Sequence, residues 1–358
     1  MIYLLLAAGV FMGWSLGSND AANAFGTAVG TGVVKWRTAT IIIAIAVLAG
    51  AFLAGANNIY SVNELATSNE VSASLESIEK AIADGTVDTL KLKSALKAVI
   101  VFVAAGVTVF GMTFLGFPVS ANQSITGAII GWGLFYADYG DPAIRAVNVP
   151  QIIKFVSTWL LNPLGAGIIA FVLTWIVKKF FEQKMTNIQN YDKMIKIAYI
   201  LSGALSAYSI GVNSSANVTA LYFDNFYGET GVAANLLTNP RLTAVIGGAA
   251  IAFGVLTYSK KVMMTVGNSI AELNQIEGFV VIISMALTIL LMGETMGIPV
   301  STSQAVVGAV VGAGLVKGPK NVHFGVFKNI GLAWLGSPTI AGLITYIIAW
   351  LTKGYFGA

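Results

Sequence analysis

The amino-acid sequence predicts an all-α polytopic membrane protein made of two inverted-topology repeats, each with a broken helix and a re-entrant helical hairpin. Three observations carry that expectation. Of the 358 residues, 56% are hydrophobic and 10% charged, against roughly 25% charged in a soluble domain. Two unrelated motifs each occur twice, in the same order, and such self-similarity governs the choice of fold. The basic residues gather in particular loops, and loops rich in Lys and Arg stay on the cytoplasmic side.

Taken in order, the apolar run Met1–Val34 is longer than the about 20 residues that one straight span needs. It divides at Gly17–Asp20, and Met1-Ile2-Tyr3-Leu4 lacks the basic start of a signal peptide. Thr38–Ile59 forms a second span, and the segment 60–97 carries six acids and four lysines, with the weak helical pattern of surface helices. Ala98–Phe117 and the short run to Tyr136 flank Pro118-Val119-Ser120, as the two arms of a hairpin would. Ile152–Phe181 closes the first half, with an interfacial piece before Pro163 as one option. The first repeat is thus 1–185 with its hairpin at about 98–136. A basic linker follows at 186–194, and the second repeat is 195–358 with its hairpin at about 278–316.

Both motifs support the duplication. Gly17-Ser18-Asn19-Asp20-Ala21-Ala22-Asn23 returns as Gly211-Val212-Asn213-Ser214-Ser215-Ala216-Asn217, which predicts helix breaks in both stretches. Gly116–Leu134 returns as Gly297–Leu315 with ten of nineteen positions identical, and Gly127, Gly131 and Gly133 stay in step with Gly308, Gly312 and Gly314. If the Pro-Val-Ser segments are hairpin tips, each half crosses three times and the second half is inverted. Lys35, Arg37, the linker, Lys260, Lys261, Lys317, Lys320 and Lys328 then lie inside, with Asp224, Glu229 and both termini outside. Arg241 and Lys353 alone sit awkwardly. A model in which every apolar run crosses fully scrambles the later loops.

The chemistry follows from what the spans contain. Asp20 is a rare carboxylate within an apolar run, and such a residue marks function by default. A proline followed by Ser120 or Ser301 is the chemistry of a helix start, with fixed φ and a hydroxyl cap. Helix starts offer free N–H groups and partial positive charge to an anion. Two more starts are expected after the Asn-rich breaks. Every Lys and Arg falls in a loop or at a span end, so a bound anion must be balanced by helix dipoles, hydroxyls, amides and a co-bound cation. Asp20, the asparagines and unwound carbonyls are hard oxygen donors suited to an alkali or alkaline-earth ion. Inverted repeats with broken helices are the usual frame of secondary transporters.

The net charge of +4 resides in loops and does not point to nucleic acid. With no cysteine, thiol chemistry and thiolate metal sites are excluded. The one histidine, His323, lies in a basic loop, and no nucleophile and base pair within the spans, so an enzyme is not expected. Plainer readings stand beside these. The asparagines could be interhelical glue, Glu294 either an ion-path or an interfacial residue, and Trp36, Trp334 and Trp350 interface anchors.

Gly17–Gly30 closely resembles the signature of the inorganic phosphate transporter (PiT) family, and Gly297–Ala309 resembles its second hallmark. The resemblance covers both halves in order. It implies a symporter importing inorganic phosphate across the cell membrane, driven by sodium in some members and protons in others. It places phosphate at Ser120, Ala121, Asn122, Gln123 and Ser124 with Ser301, Thr302, Ser303 and Gln304. It places the coupling ion at Asn19, Asp20, Asn23, Asn213, Ser214 and Asn217. Expected partners are phosphate, sodium and the lipid bilayer, with a homodimer open and no other cofactor. This chain departs from the family in three places. Gln304 stands where many members have His and cannot titrate, which favours sodium over protons. Ser214 replaces the acid expected opposite Asp20. Thr38–Ile59 lacks the glutamate of animal members. The alternatives are a proton-coupled symporter, an oxyanion channel, and a carrier of another oxyanion such as sulfate or arsenate.

Overall fold

The computed structural model describes residues 2–59, 62, 87–139, 149–180, 188–226, 239–296 and 299–355. The described chain is almost wholly helical. Helix α1 (Ile2–Asn19) ends in a turn at Asp20, continues as a 3-10 segment (Ala21–Phe25) and resumes as the short α2 (Gly26–Gly30). Helices α3 (Trp36–Ala54), α4 (Val87–Leu115), α5 (Ala121–Tyr139) and α6 (Val149–Phe180) complete the first half. The second half holds α7 (Ile188–Phe226), α8 (Pro240–Tyr258), α9 (Lys260–Asn268), α10 (Gln275–Met296), α11 (Thr302–Leu315) and α12 (Phe324–Leu351). Seven helices among the described residues are long and apolar enough to cross a membrane, and their exposed faces carry Leu, Ile, Phe and Val side chains, as lipid-facing surfaces require.

The hairpins form where the sequence places their tips. Arms α4 and α5 join through Gly116, whose φ of +84° gives the sharp reversal that a side chain would resist. The tips then start new helices as the residue types dictate: Ser120 Oγ caps the Gln123 amide at 3.2 Å, and Ser301 Oγ caps the Gln304 amide at 3.2 Å.

The halves pack by exchange. Helix α5 lies on α12, α11 on α6, α1 on α8 and α3 on α7. Glycines set the spacing in matched pairs. A Cβ on Gly127 would meet Pro338 O, and one on Gly308 would meet Pro163 O. Gly131 and Gly312 stand likewise against the backbones of Gly342 and Gly167. Gly17 abuts Ile251 O and Gly211 abuts Val47 O. With so little side chain between them the backbones come into direct contact, which is how membrane helices associate without a hydrophobic driving force. Residue numbers rise together along both helices in the α5–α12 and α6–α11 pairs, so each pair is parallel.

Some expectations change. The break expected at Gly211–Ala216 is absent: α7 runs unbroken from Ile188 to Phe226. Gly211 there serves close approach to α3, and Asn213 reaches its partners from an intact helix. Only the first copy of the motif unwinds, after Asn19. The fourth helix start, expected after Ser214, therefore does not exist. Helix α7 already includes residues 188–194, and α6 passes straight through Pro163. Most of the 60–97 segment, and the side chain of Glu294, lie outside the described residues.

Gly308→Val should lower the melting temperature sharply, because the new side chain meets the Pro163 backbone and overpacking costs about 1–3 kcal/mol. Gly111→Ala, with nothing within 4 Å, should melt within a degree or so of the parent. Thermal unfolding in detergent followed by tryptophan fluorescence checks both.

Candidate functional site

The fifteen residues singled out by sequence all lie in the interior, each at most 3% exposed. The structure brings the two hairpin tips into contact. Ser303 Oγ, in the first turn of α11, is 2.7 Å from Val119 O on the other tip. The two copies of the Asn-rich motif clamp one tip each. Asn19 Oδ1 accepts the Val119 amide at 3.1 Å, while its Nδ2 donates to Phe117 O at 2.9 Å and Thr113 Oγ1 at 2.8 Å. Asn213 Oδ1 accepts the Val300 amide at 2.8 Å, and its Nδ2 returns to Val300 O at 2.8 Å. An asparagine offers a donor and an acceptor together, so it can hold an unwound backbone that would otherwise be buried unsatisfied.

Asp20 lies where the tips meet. Its Oδ1 accepts from Ser303 Oγ at 2.8 Å, and the Ala121 amide and Thr302 hydroxyl also face it. Asn23 Nδ2 donates to Ser303 Oγ at 2.9 Å. Ser303 has one hydroxyl hydrogen, yet its oxygen stands within bonding distance of two acceptors, Asp20 Oδ1 and Val119 O. One hydroxyl hydrogen thus serves two acceptors while Ser303 Oγ itself accepts from Asn23, and Asn23 Oδ1 is buried nearby with no partner. A crowd of acceptors short of hydrogens is chemistry for a hard cation. Among the described residues no group of three or more His, Cys, Asp or Glu side chains gathers as a transition-metal site would require.

Beside the oxygens lie donors. The first amides of a helix have no carbonyl to reach. The serine caps take those of Gln123 and Gln304, and those of Asn122, Thr302 and Ser303 have no partner among the described residues. Two acceptors, Gln123 Oε1 and Gln304 Oε1, are also buried without partners. Buried polar groups are normally paired, and donors clustered at two converging helix starts fit an anion.

Two supporting residues escaped the sequence reading. Trp334, expected as an interface anchor, is 8% exposed, and its Nε1 donates to Pro118 O at 3.1 Å. On the other tip, Asn162 Nδ2 donates to Ser301 O at 2.5 Å. Each tip is therefore held by the last long helix of the opposite half. Glu277 is fully buried and pairs with Lys178 and Lys317, both at 2.7 Å. It also forms a capping box with Asn274 at the start of α10, 2.8 Å in each direction. The pattern Asn274-Gln275-Ile276-Glu277 was the available signal for that cap. At the next residue, Thr27 Oγ1 donates to Gly278 O at 2.8 Å, which ties α2 to the same end of α10.

A buried polar centre enclosed by long apolar helices, with paired hairpin tips, defines the class: a multi-pass membrane protein built like a secondary transporter. The chain belongs to the phosphate transporter family, whose sequence model matches residues 16–345. It is similar along most of its length to the protein of Pyrococcus furiosus named "Putative phosphate permease PF1020", at 27% identity over 97% of this chain and 95% of that one. It is similar also to the sulfate permease CysP of Bacillus subtilis, at 26% identity over 95% of this chain and 84% of that one. A solved structure of a protein named the sodium-dependent phosphate transporter shares the fold, with a TM-score of 0.76, 24% identity and 98% of both chains covered.

Glu277→Gln should destabilise the protein by about 1–3 kcal/mol, a buried ion pair discounted for its partly exposed lysines. High salt should narrow the difference in melting temperature between parent and variant.

Proposed function

We propose that the chain is a secondary transporter that imports inorganic phosphate by symport with sodium ions. One observation carries this reading: helix-start amides without a backbone partner and an oxygen cluster built on the Asp20 carboxylate share one centre at the meeting of the tips. Phosphate is held by the amides and hydroxyls of Ser120–Ser124 and Ser301–Gln304. Sodium is held by Asp20 Oδ1, Asn23 Oδ1, Ser303 Oγ and Val119 O, next to the anion. Each ion lowers the cost of the other in a low-dielectric interior, where opposite charges interact strongly. That mutual stabilisation is the coupling: the centre is unfavourable half loaded. Asn19 and Asn213 position the tips and do not need to touch either ion.

Family membership supports phosphate as the substrate, and the name of the solved neighbour supports sodium. The parallel exchanged helix pairs support inverted repeats. If α5 leaves its tip toward one face and α11 leaves toward the other, each must run alongside a full span of the opposite half in the same direction, as both do. Alternating access then follows from motion of one group of helices against the other around the fixed centre. The ion pairs at Glu277 close the end that the charge rule places in the cytoplasm.

The purified protein in proteoliposomes should accumulate radiolabelled phosphate against its gradient when sodium is high outside, and not under an equal potassium gradient. Equal uptake in both would end the sodium reading, and equilibration without accumulation would indicate a channel. Asp20→Asn should cut coupled uptake about tenfold or more at unchanged expression, since a bond to a charged group is worth about 1.5–3 kcal/mol. Excess unlabelled phosphate should suppress uptake more than equal sulfate, and the reverse order would reassign the substrate.

A further inference from the structure

We infer that this transporter carries a single sodium ion with each anion, and that Ser214 is the residue that removes the second. The inference rests on the sodium-symport reading and deepens it. Its starting point is the exchange symmetry of the packing. Asn19 stands to Val119 as Asn213 stands to Val300, and Gly17 to Ile251 as Gly211 to Val47. Asp20, Asn23 and Ser303 on one side therefore correspond to Ser214, Asn217 and Asn122 on the other.

The two sides are chemically unlike. On the first, the Asp20 carboxylate brings a formal negative charge, and the one hydroxyl hydrogen of Ser303 serves both Asp20 Oδ1 and Val119 O. On the second there is no carboxylate, because Ser214 stands in its place. Asn213 Nδ2 directs one hydrogen to Val300 O at 2.8 Å and the other to Ser214 Oγ at 3.2 Å. Asn217 Nδ2 donates to Asn122 Oδ1. In the first half the matching amide of Asn19 goes instead to Thr113 and Phe117, which leaves Val119 O for Ser303. Ser214 Oγ, Val300 O and Asn122 Oδ1 thus each accept an amide hydrogen, and none of them carries a charge. One neutral oxygen, Asn217 Oδ1, is left over. A hard cation draws on several oxygens, charged ones for preference. The amide hydrogens here take the place that a second cation would fill, because they bring partial positive charge to the same carbonyls.

The test is the ratio of sodium to phosphate moved into the same proteoliposomes, measured with both isotopes at once. The expected ratio is one, with sodium activation of uptake showing a Hill coefficient near one. Ser214→Asp should move both toward two, because it restores a carboxylate beside Asn213 and Asn217. A ratio of two in the unmodified protein overturns the inference while leaving sodium symport intact, and this arm stands even if the variant does not fold. A fall from two to one in Glu294→Gln would trace the second charge to that acid. No sodium entry with phosphate at all would overturn both this inference and the symport reading.

Discussion

Asp20 is 2% exposed, and none of its partners among the described residues is a lysine or arginine. Burying a charge is costly unless it is paired and hydrogen-bonded, so the surroundings of this carboxylate constrain much of the molecule. It needs donors at a fixed point, and the donors come from two helix starts, at Ala121 and Thr302, on hairpins far apart in sequence. Both starts must therefore arrive at one place. That requirement accounts for the clamps of Asn19 and Asn213 on the unwound tips, and for the ties from Trp334 and Asn162 behind them.

Holding two tips together in a membrane asks for rigid backing without bulky side chains. The glycine pairs meet that need. Gly127 against Pro338 and Gly308 against Pro163 bring backbone to backbone, so the position of each hairpin is set by the helix of the other half. The contacts are reciprocal, so each half backs the tip of the other. At one end of the bundle Glu277 gathers Lys178 and Lys317.

Much of this was legible in the sequence because the relevant signals are local. The Pro-Val-Ser tips declare helix starts by residue type, the repeated glycines declare the duplication, and Asp20 stands out in an apolar run. The helix in the second Asn-rich stretch was not legible. Gly211 and Asn213 look the same whether they break a helix or let another helix approach, and only the Val47 backbone against Gly211 decides between them. Trp334 was misread for a related reason. A tryptophan near a span end usually marks an interface, and the carbonyl it bonds, Pro118 O, is over two hundred residues away in sequence. The burial of Glu277 depends on lysines from α6 and from the turn after α11, which no local pattern reveals.

The central claim is that an anion rests between the two helix starts beside a hard cation, without a basic side chain. Crystals grown with arsenate in place of phosphate and thallium in place of sodium would locate both heavy atoms by anomalous scattering. The account predicts an arsenic peak within hydrogen-bonding reach of the Asn122, Thr302 and Ser303 amides, and a thallium peak against Asp20 Oδ1, Ser303 Oγ and Val119 O. An arsenic peak at the lysines of either surface, with none at the tips, would contradict it.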